Sequence, residues 1–441
     1  MTQSVFAYPV PLWRFPGEGR GLVGKVDEAG RNAAFLAFRD WAPAFAREAI
    51  WRRVPVTVFI LLAVLLLAGC GGAPRGVTFH PDENPANLSD WGLFTRTAGR
   101  LAPHDGMVTY ELNTPLFSDY AQKWRTIWMP KGVHATYDPE KWFDFPVGTI
   151  ITKTFYYSTP VEAVAPQTSG EVLKVTPATY QTGVSGLNLS HVRLIETRLL
   201  VKRASGWVAL PYVWNADGSD ATLERTGADV PLTLIDGAHR DAFSYTVPNQ
   251  NQCAGCHAQD FHARAINPIG LKARHLDRTF AGEGGEINQL RRLVALGYLT
   301  GVPGQVPPGN AKWQDEKAGT IGQARAYLDI NCSHCHNRVG AARTSGLWLD
   351  TKTVDPRMLG TCKPPVAAGR GTGDRPFDVV PGQPDRSILT YRLASTDPGE
   401  MMPELGRDLA HGEGLALITR YIATMKGACD AVDGSKRGTA R

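Results

Sequence analysis

The stretches RLIETRLLVKR (Arg193–Arg203) and WVALPYVW (Trp207–Trp214) are rich in β-branched, leucyl and aromatic residues and have no clean helical period. Segments of this kind read as strands. TIITKTFYY (Thr149–Tyr157) has the same character, and Asp217-Gly218 is a turn signal. Working outward, residues 77–247 read as a β-rich domain in which YSTPVEAVAPQTSG (Tyr157–Gly170) is a long loop. Trp91, Trp124, Trp128, Trp142, Trp207 and Trp214 are expected in core and edge packing rather than as a binding platform.

Beyond Cys253 the character turns toward helix. EINQLRRLVALGYL (Glu286–Leu299) sets Leu290, Leu293, Val294 and Leu296 near one helical face. TIGQARAYLDINCSHCH (Thr320–His336) reads as a helix running into a turn. EGLALITRYIATM (Glu413–Met425) lines Leu415, Ile418, Ile422 and Met425 along one stripe. Gly/Pro-rich CKPPVAAGRGTGDRPFDVVPGQPD (Cys362–Asp385) reads as an extended connection wrapped around something.

Two short repeats punctuate this second part. NQCAGCHAQ (Asn251–Gln259) contains Cys253-Ala254-Gly255-Cys256-His257, and DINCSHCHN (Asp329–Asn337) contains Cys332-Ser333-His334-Cys335-His336. The two copies use four of the seven cysteines. Cys-x-x-Cys-His is the attachment signature of a c-type haem: two thiols add to the vinyl groups of one porphyrin, and the next His lies under the iron. Two covalently bound haem c groups are therefore expected, one on Cys253 and Cys256 and one on Cys332 and Cys335, with His257 and His336 as iron ligands. A zinc site on four thiolates competes, but zinc ribbons use shorter separations and need no His after each pair. A thioredoxin-like pair would sit in a βαβ pattern, which surrounds neither copy. The expected fold is α+β: a β-rich N-terminal domain followed by mainly α-helical cytochrome c-type haem domains, at 248–312 for the first haem and 313–430 for the second.

For the second haem, DPGEMMPELGR (Asp397–Arg407) resembles the distal loop of a class I cytochrome c, and Met402, which precedes Pro403, is the expected sixth ligand rather than Met401. The first haem has no Met between Ala258 and Asn331. His262, His275, Met107, Met129, His104, His134 and Lys153 stand as candidates, and so does a five-coordinate iron.

The front of the chain speaks to location. WRRVPVTVFILLAVLLLAGCGG (Trp51–Gly72) joins two arginines to an apolar run, Val58–Ala68, that suits a secretory leader and is too short to span a bilayer. Its end, Leu67-Ala68-Gly69-Cys70, resembles the bacterial lipobox. That resemblance implies a lipid on Cys70, loss of residues 1–69 as N-terminal extension plus signal peptide, and a periplasmic chain anchored to a membrane, the outer one favoured by Gly71. Residues 1–69 carry eight basic and five acidic side chains, leaving 39 against 37, a near-neutral balance that gives no case for nucleic-acid binding. In an oxidising compartment the remaining pair, Cys362 and Cys429, is expected to form a disulfide.

YELNTPLFSDYAQKWR, FDFPVGTIITKTF, NQCAGCH, ARAYLDINCSHCHN, CKPPVAAGRGTG, VPGQPDRSIL and PGEMMPELGR together resemble a bacterial family of dihaem c-type cytochrome lipoproteins, often encoded beside a parallel β-helix protein. The resemblance runs from about Asn87 to the last helix and implies the same four cysteines and two histidines. A weaker likeness to cytochrome P460 covers Phe145-Pro146-Val147-Gly148 with Lys153, then Val201–Trp207, then Cys253 onward. Single-electron transfer between redox partner proteins is the expected role, rather than that of a stand-alone enzyme. The alternative is a dihaem oxidoreductase, peroxidase-like or P460-like, with a five-coordinate catalytic first haem.

Overall fold

Val192–Arg203 (β9) and Gly206–Trp214 (β10) form an antiparallel hairpin in which Gly206 lies opposite Arg203. Gly206 takes φ 120° in the tight connection, a state open mainly to glycine. The structure, a computed structural model, describes residues 76–163, 165–175, 186–282, 285–366 and 368–430. The apolar run Val58–Ala68, expected as a secretory leader, and Cys70 lie outside the described residues.

Around the hairpin grows a nine-stranded sheet that curls into a half-barrel. Ile150–Ser158 (β6) pairs with β9 on one side and with Gln122–Trp128 (β4) on the other. Met107–Thr109 (β3) extends the sheet past β4, and Ala221–Leu223 (β11) extends it past β10. At the far end of β6, Ser158 meets Leu173 of Glu171–Leu173 (β7). β7 runs parallel to Ala228–Asp236 (β12), whose antiparallel partner is His239–Val247 (β13). Three small sheets flank it: Phe94–Thr97 (β1), Arg100–Pro103 (β2) and Leu187–Asn188 (β8); Ala135–Thr136 (β5) with Leu299–Thr300 (β16); and Thr279–Gly282 (β14) with Gly285–Asn288 (β15).

Alternation along the strands divides the sheet into two buried faces. Ile150, Tyr156, Leu199, Val201, Leu210 and Tyr212 pack with Trp91 and Trp124 on one face. On the other, Ile127, Ile151, Leu200 and Ala209 share a core with Leu271, Leu276, Leu290, Leu293 and Ile330. The second half of the chain is thus laid onto the sheet, and the described residues fall in one compact unit.

This overturns the expected mainly α-helical haem region. The described residues hold six helices: Gln250–His257 (α1), Ala273–Leu276 (α2), Gln289–Ala295 (α3), Gly319–Asn331 (α4), Ile388–Ala394 (α5) and Gly412–Ala423 (α6). Strand outweighs helix, 28% to 21%, so the chain is mostly β. The physical reason is that the apolar residues after Cys253 find a ready partner in the sheet face and need no bundle of their own. Glycine and proline, dense from Gly297 to Gly309, keep the links irregular. The helix expected across Glu286–Leu299 is shorter for the same reason: Glu286–Asn288 belongs to β15, and the Asn288 side chain caps α3 at Leu290 N and Arg291 N, 3.0 and 3.2 Å away. Leu290 and Leu293 are buried, whereas Val294 and Leu296 face solvent. α4 and α6 pack through Leu328, Leu417, Ile418 and Ile422 into a separate apolar cluster.

Candidate functional site

Asn249 starts α1 by a reciprocal cap: its side chain accepts from Gln252 N, and the Gln252 side chain accepts from Asn249 N, both at 2.9 Å. That holds the first Cys-x-x-Cys-His against the sheet, with Cys253 buried. His257 Nδ1 is 2.8 Å from the backbone carbonyl of Asn267. A carbonyl only accepts, so Nδ1 carries the proton and Nε2 keeps its lone pair.

The second turn continues α4, with His336 N donating to Cys332 O at 2.8 Å. Here Ser345 Oγ donates to Ala342 O at 2.7 Å and so accepts from His336 Nδ1 at 3.1 Å. Nε2 is again left with its lone pair. Burial lowers both His257 and His336 to about 4, so each imidazole is neutral near pH 7. The chain folds back over the second turn at Gly340, where a Cβ would collide with the Cys335 carbonyl.

The two turns touch. Cys335 Sγ is 3.6 Å from Gly255 O, and Cys256 hydrogen-bonds with both Cys335 and His334. Phe261 N donates to Val339 O at 2.7 Å, and Arg343 stacks over the Phe261 ring at 4.1 Å. The bond to Cys335 pulls the Cys256 thiol below its usual range, whereas burial pushes Cys332 up to about 12. His334 is 4% exposed and its Nδ1 has no partner.

Between α1 and the sheet lies a cavity that is partly open to solvent. Cys253, Cys256 and His257 lie on one side, with Leu112, Leu116, Ile151, Leu200, Ile269 and Leu271 as apolar walls. Cysteine pair, lone-pair imidazole and apolar walls together fit a porphyrin. Arg125, Lys153 and Arg198 also line it, in register across β4, β6 and β9. Burial first, then the Arg198 charge, lowers Lys153 to about 7. Glu196, with a fully buried side chain, holds Arg198 through both carboxylate oxygens at 2.7 and 2.5 Å and accepts from Tyr245 OH at 2.7 Å.

Of the sixth-ligand candidates for the first turn, Lys153 alone lines the cavity. Met129 is buried in the core beside it, Met107 packs on the opposite face, and His134 and His262 are exposed. His104 contacts the Asp105 carbonyl at 3.3 Å. Met401 is buried and Met402 half-buried, with Met402 N donating to Arg392 O at 2.9 Å. The loop after Met402 reaches the cavity through Pro403, Leu405 and Gly406. Cys362 and Cys429 are joined by a disulfide, with sulfurs 2.04 Å apart.

His275 is not a surface residue: it is 2% exposed and lies 3.8 Å from Asp329. Asp329 was missed by motif reading, yet it organises the second turn. It accepts from Arg274 at 2.6 and 3.0 Å, from Asn310 at 2.6 Å and from Ser333 Oγ, inside the motif, at 2.8 Å. The available signal was a carboxylate set between Leu328 and Ile330 in the helix that runs into the motif, a position tolerable when buried only with partners.

An acid dependence follows. Burial lowers His275 from 6.5 to about 3, and the Arg274 bond holds Asp329 well below the usual carboxylate range despite its burial. Both groups have depressed folded values, so their contribution to stability is present above the unfolded values and lost as pH falls. For His275 the loss begins below about pH 6.5 and runs toward pH 3. Unfolding midpoints followed by circular dichroism from pH 7 to 4 are expected to fall, and His275→Gln to flatten that decline. Equal slopes for the two proteins would rule this origin out.

No protein-family model, curated protein or solved structure matches the chain.

Proposed function

We propose that the chain is a dihaem c-type cytochrome of the lipoprotein family its motifs resemble, passing single electrons between redox partner proteins on the periplasmic side of a membrane. A lipid on Cys70 would anchor it, and the apolar leader ending in a small-residue Cys site supports that location. The observation that carries the reading is the matched state of two turns far apart in the chain. His257 and His336 are both half-buried and neutral, and each is bonded through Nδ1 so that Nε2 is free, beside a cysteine pair. A four-thiolate zinc site fits less well, since such a site needs no His after each cysteine pair.

A haem at each turn would supply a one-electron couple. The chain's own residues would do the rest. Cys253, Cys256, Cys332 and Cys335 would form the thioether links, and His257 and His336 would face iron through Nε2. Asn267 O and Ser345 Oγ would fix the two rings' orientation. Met402 is proposed as sixth ligand of the second group. Contact between Cys335 and Gly255 supports transfer within the chain.

The second reading, a dihaem oxidoreductase with a five-coordinate first iron, is favoured by one observation: among the described residues, no methionine lines the cavity. Mass spectrometry of the exported chain is expected to find the added mass of two haems, and replacing Cys332 and Cys335 by alanine to remove one of them. A colourless or zinc-loaded chain sinks both readings. The ferric spectrum separates them: two low-spin centres mean an electron carrier, and one high-spin centre that binds cyanide means an oxidoreductase.

A further inference from the structure

The two motif turns meet through matching positions. Gly255 O lies 3.6 Å from Cys335 Sγ, and His334 hydrogen-bonds with Cys256. Gly255 and His334 each stand just before the second cysteine of their own motif. Gly255 has no side chain to offer, whereas His334 carries an imidazole from the second turn into the lining of the first turn's cavity. Its backbone is held there: the Asn337 side chain donates to Ser333 O at 2.9 Å and to His334 O at 3.2 Å. The ring itself is 4% exposed, and its Nδ1 has no partner. A buried ring nitrogen left unbonded calls for a reason. The Nδ1 of His275 is in the same state, but that ring lies beside Asp329 and is not part of the cavity lining. Among the described residues, His257 and His334 are the imidazoles that line the cavity.

We infer that His334 is the sixth iron ligand of the haem attached at Cys253 and Cys256, supplied to the first site by the second turn. The inference rests on the haem attachment proposed above and names the ligand that no methionine of the cavity lining provides. A neutral imidazole keeps a lone pair on one ring nitrogen, which makes it a ready iron ligand. Lys153, the other nitrogen base there, sits 5.0 Å over the Phe155 ring and would have to lose a proton first. The contact with Cys256 does not hold the ring back, because a thioether sulfur has no S–H to donate and accepts only weakly. The attachment motif itself does not require a His at this position, since the first copy has Gly255 there.

The test is the ferric electron paramagnetic resonance spectrum of the full exported chain and of its His334→Gly, His334→Met and Lys153→Met variants, with haem content read by mass spectrometry. Wild type is expected to show two low-spin centres. His334→Gly, which copies the residue of the first motif, should keep both haems but turn one centre high-spin, and added imidazole should return it to low-spin. Lys153→Met should leave both centres low-spin. His334→Met keeps a ligand and the bulk, so the midpoint of one haem should rise, as methionine ligation does. A high-spin centre in wild type, two low-spin centres in His334→Gly with both haems bound, or a high-spin centre produced by Lys153→Met overturns the inference and leaves haem attachment standing. If His334→Gly does not fold, His334→Met decides, and a spectrum and midpoints equal to wild type overturn the inference. A chain without haem defeats the proposed function and this ligand together.

Discussion

Replacing Asp329 by alanine is expected to destabilise the protein by about 3–5 kcal/mol, the usual cost of removing one partner from a buried ion pair. Its side chain is fully buried and carries Arg274, Asn310 and Ser333 at once. Without it, the Arg274 guanidinium, 12% exposed, keeps its charge with no carboxylate beside it. Ser333 and Asn310 also lose an acceptor, each at about 1 kcal/mol or more. Urea unfolding followed by far-ultraviolet circular dichroism measures the loss. Asp329→Asn keeps the shape and some hydrogen bonds, so it should fall between wild type and alanine. A change below about 1 kcal/mol for alanine would mean that Asp329 holds neither Arg274 nor the second turn. Ser333 lies inside the motif, so the same variant should also lower the yield of protein modified at Cys332 and Cys335.

Glu196→Gln is expected to have a comparable effect, again about 3–5 kcal/mol. Here the consequence reaches the cavity. Glu196 neutralises Arg198, which shares its row with Lys153 and Arg125. With the carboxylate gone, three buried cations face one another, and Tyr245 keeps only an amide to meet its hydroxyl. A double variant, Glu196→Gln with Arg198→Met, removes both the orphaned charge and its repulsion, so it should be more stable than Glu196→Gln alone. The double-mutant cycle isolates that coupling. Additive losses would show that the pair is not a coupled unit.

Much of the site was legible without coordinates because its chemistry depends on local spacing. Two thiols and an imidazole within five residues belong to one turn of chain, and no distant contact is needed to bring them together. The β-rich half was legible for a similar reason: Arg193–Arg203 and Trp207–Trp214 are uniformly strand-like, and β9 and β10 fill those stretches. Apolar periodicity was less reliable beyond Cys253. Leu290 and Leu293 are buried on a short helix, but Val294 and Leu296 are not. The same pattern that suggested a bundle helix is satisfied by one turn resting on a sheet.

The row of cations could not be seen in the same way. Arg125, Lys153 and Arg198 are separated by 28 and 45 positions, and each alone reads as an ordinary solvated strand residue. Only the register of β4, β6 and β9 makes them neighbours.

The sequence by itself determined the two Cys-x-x-Cys-His turns, the strand character of the first half and the short apolar run before Cys70, because covalent spacing, side-chain shape and apolar run length are properties of neighbours along the chain. Tertiary structure alone decided that the second half lies on the sheet rather than forming a helical domain, that Cys256 meets Cys335, and that three cations and a buried Asp329 surround the turns. Those outcomes depend on which distant surfaces exclude water together, and burial of that kind has no local code.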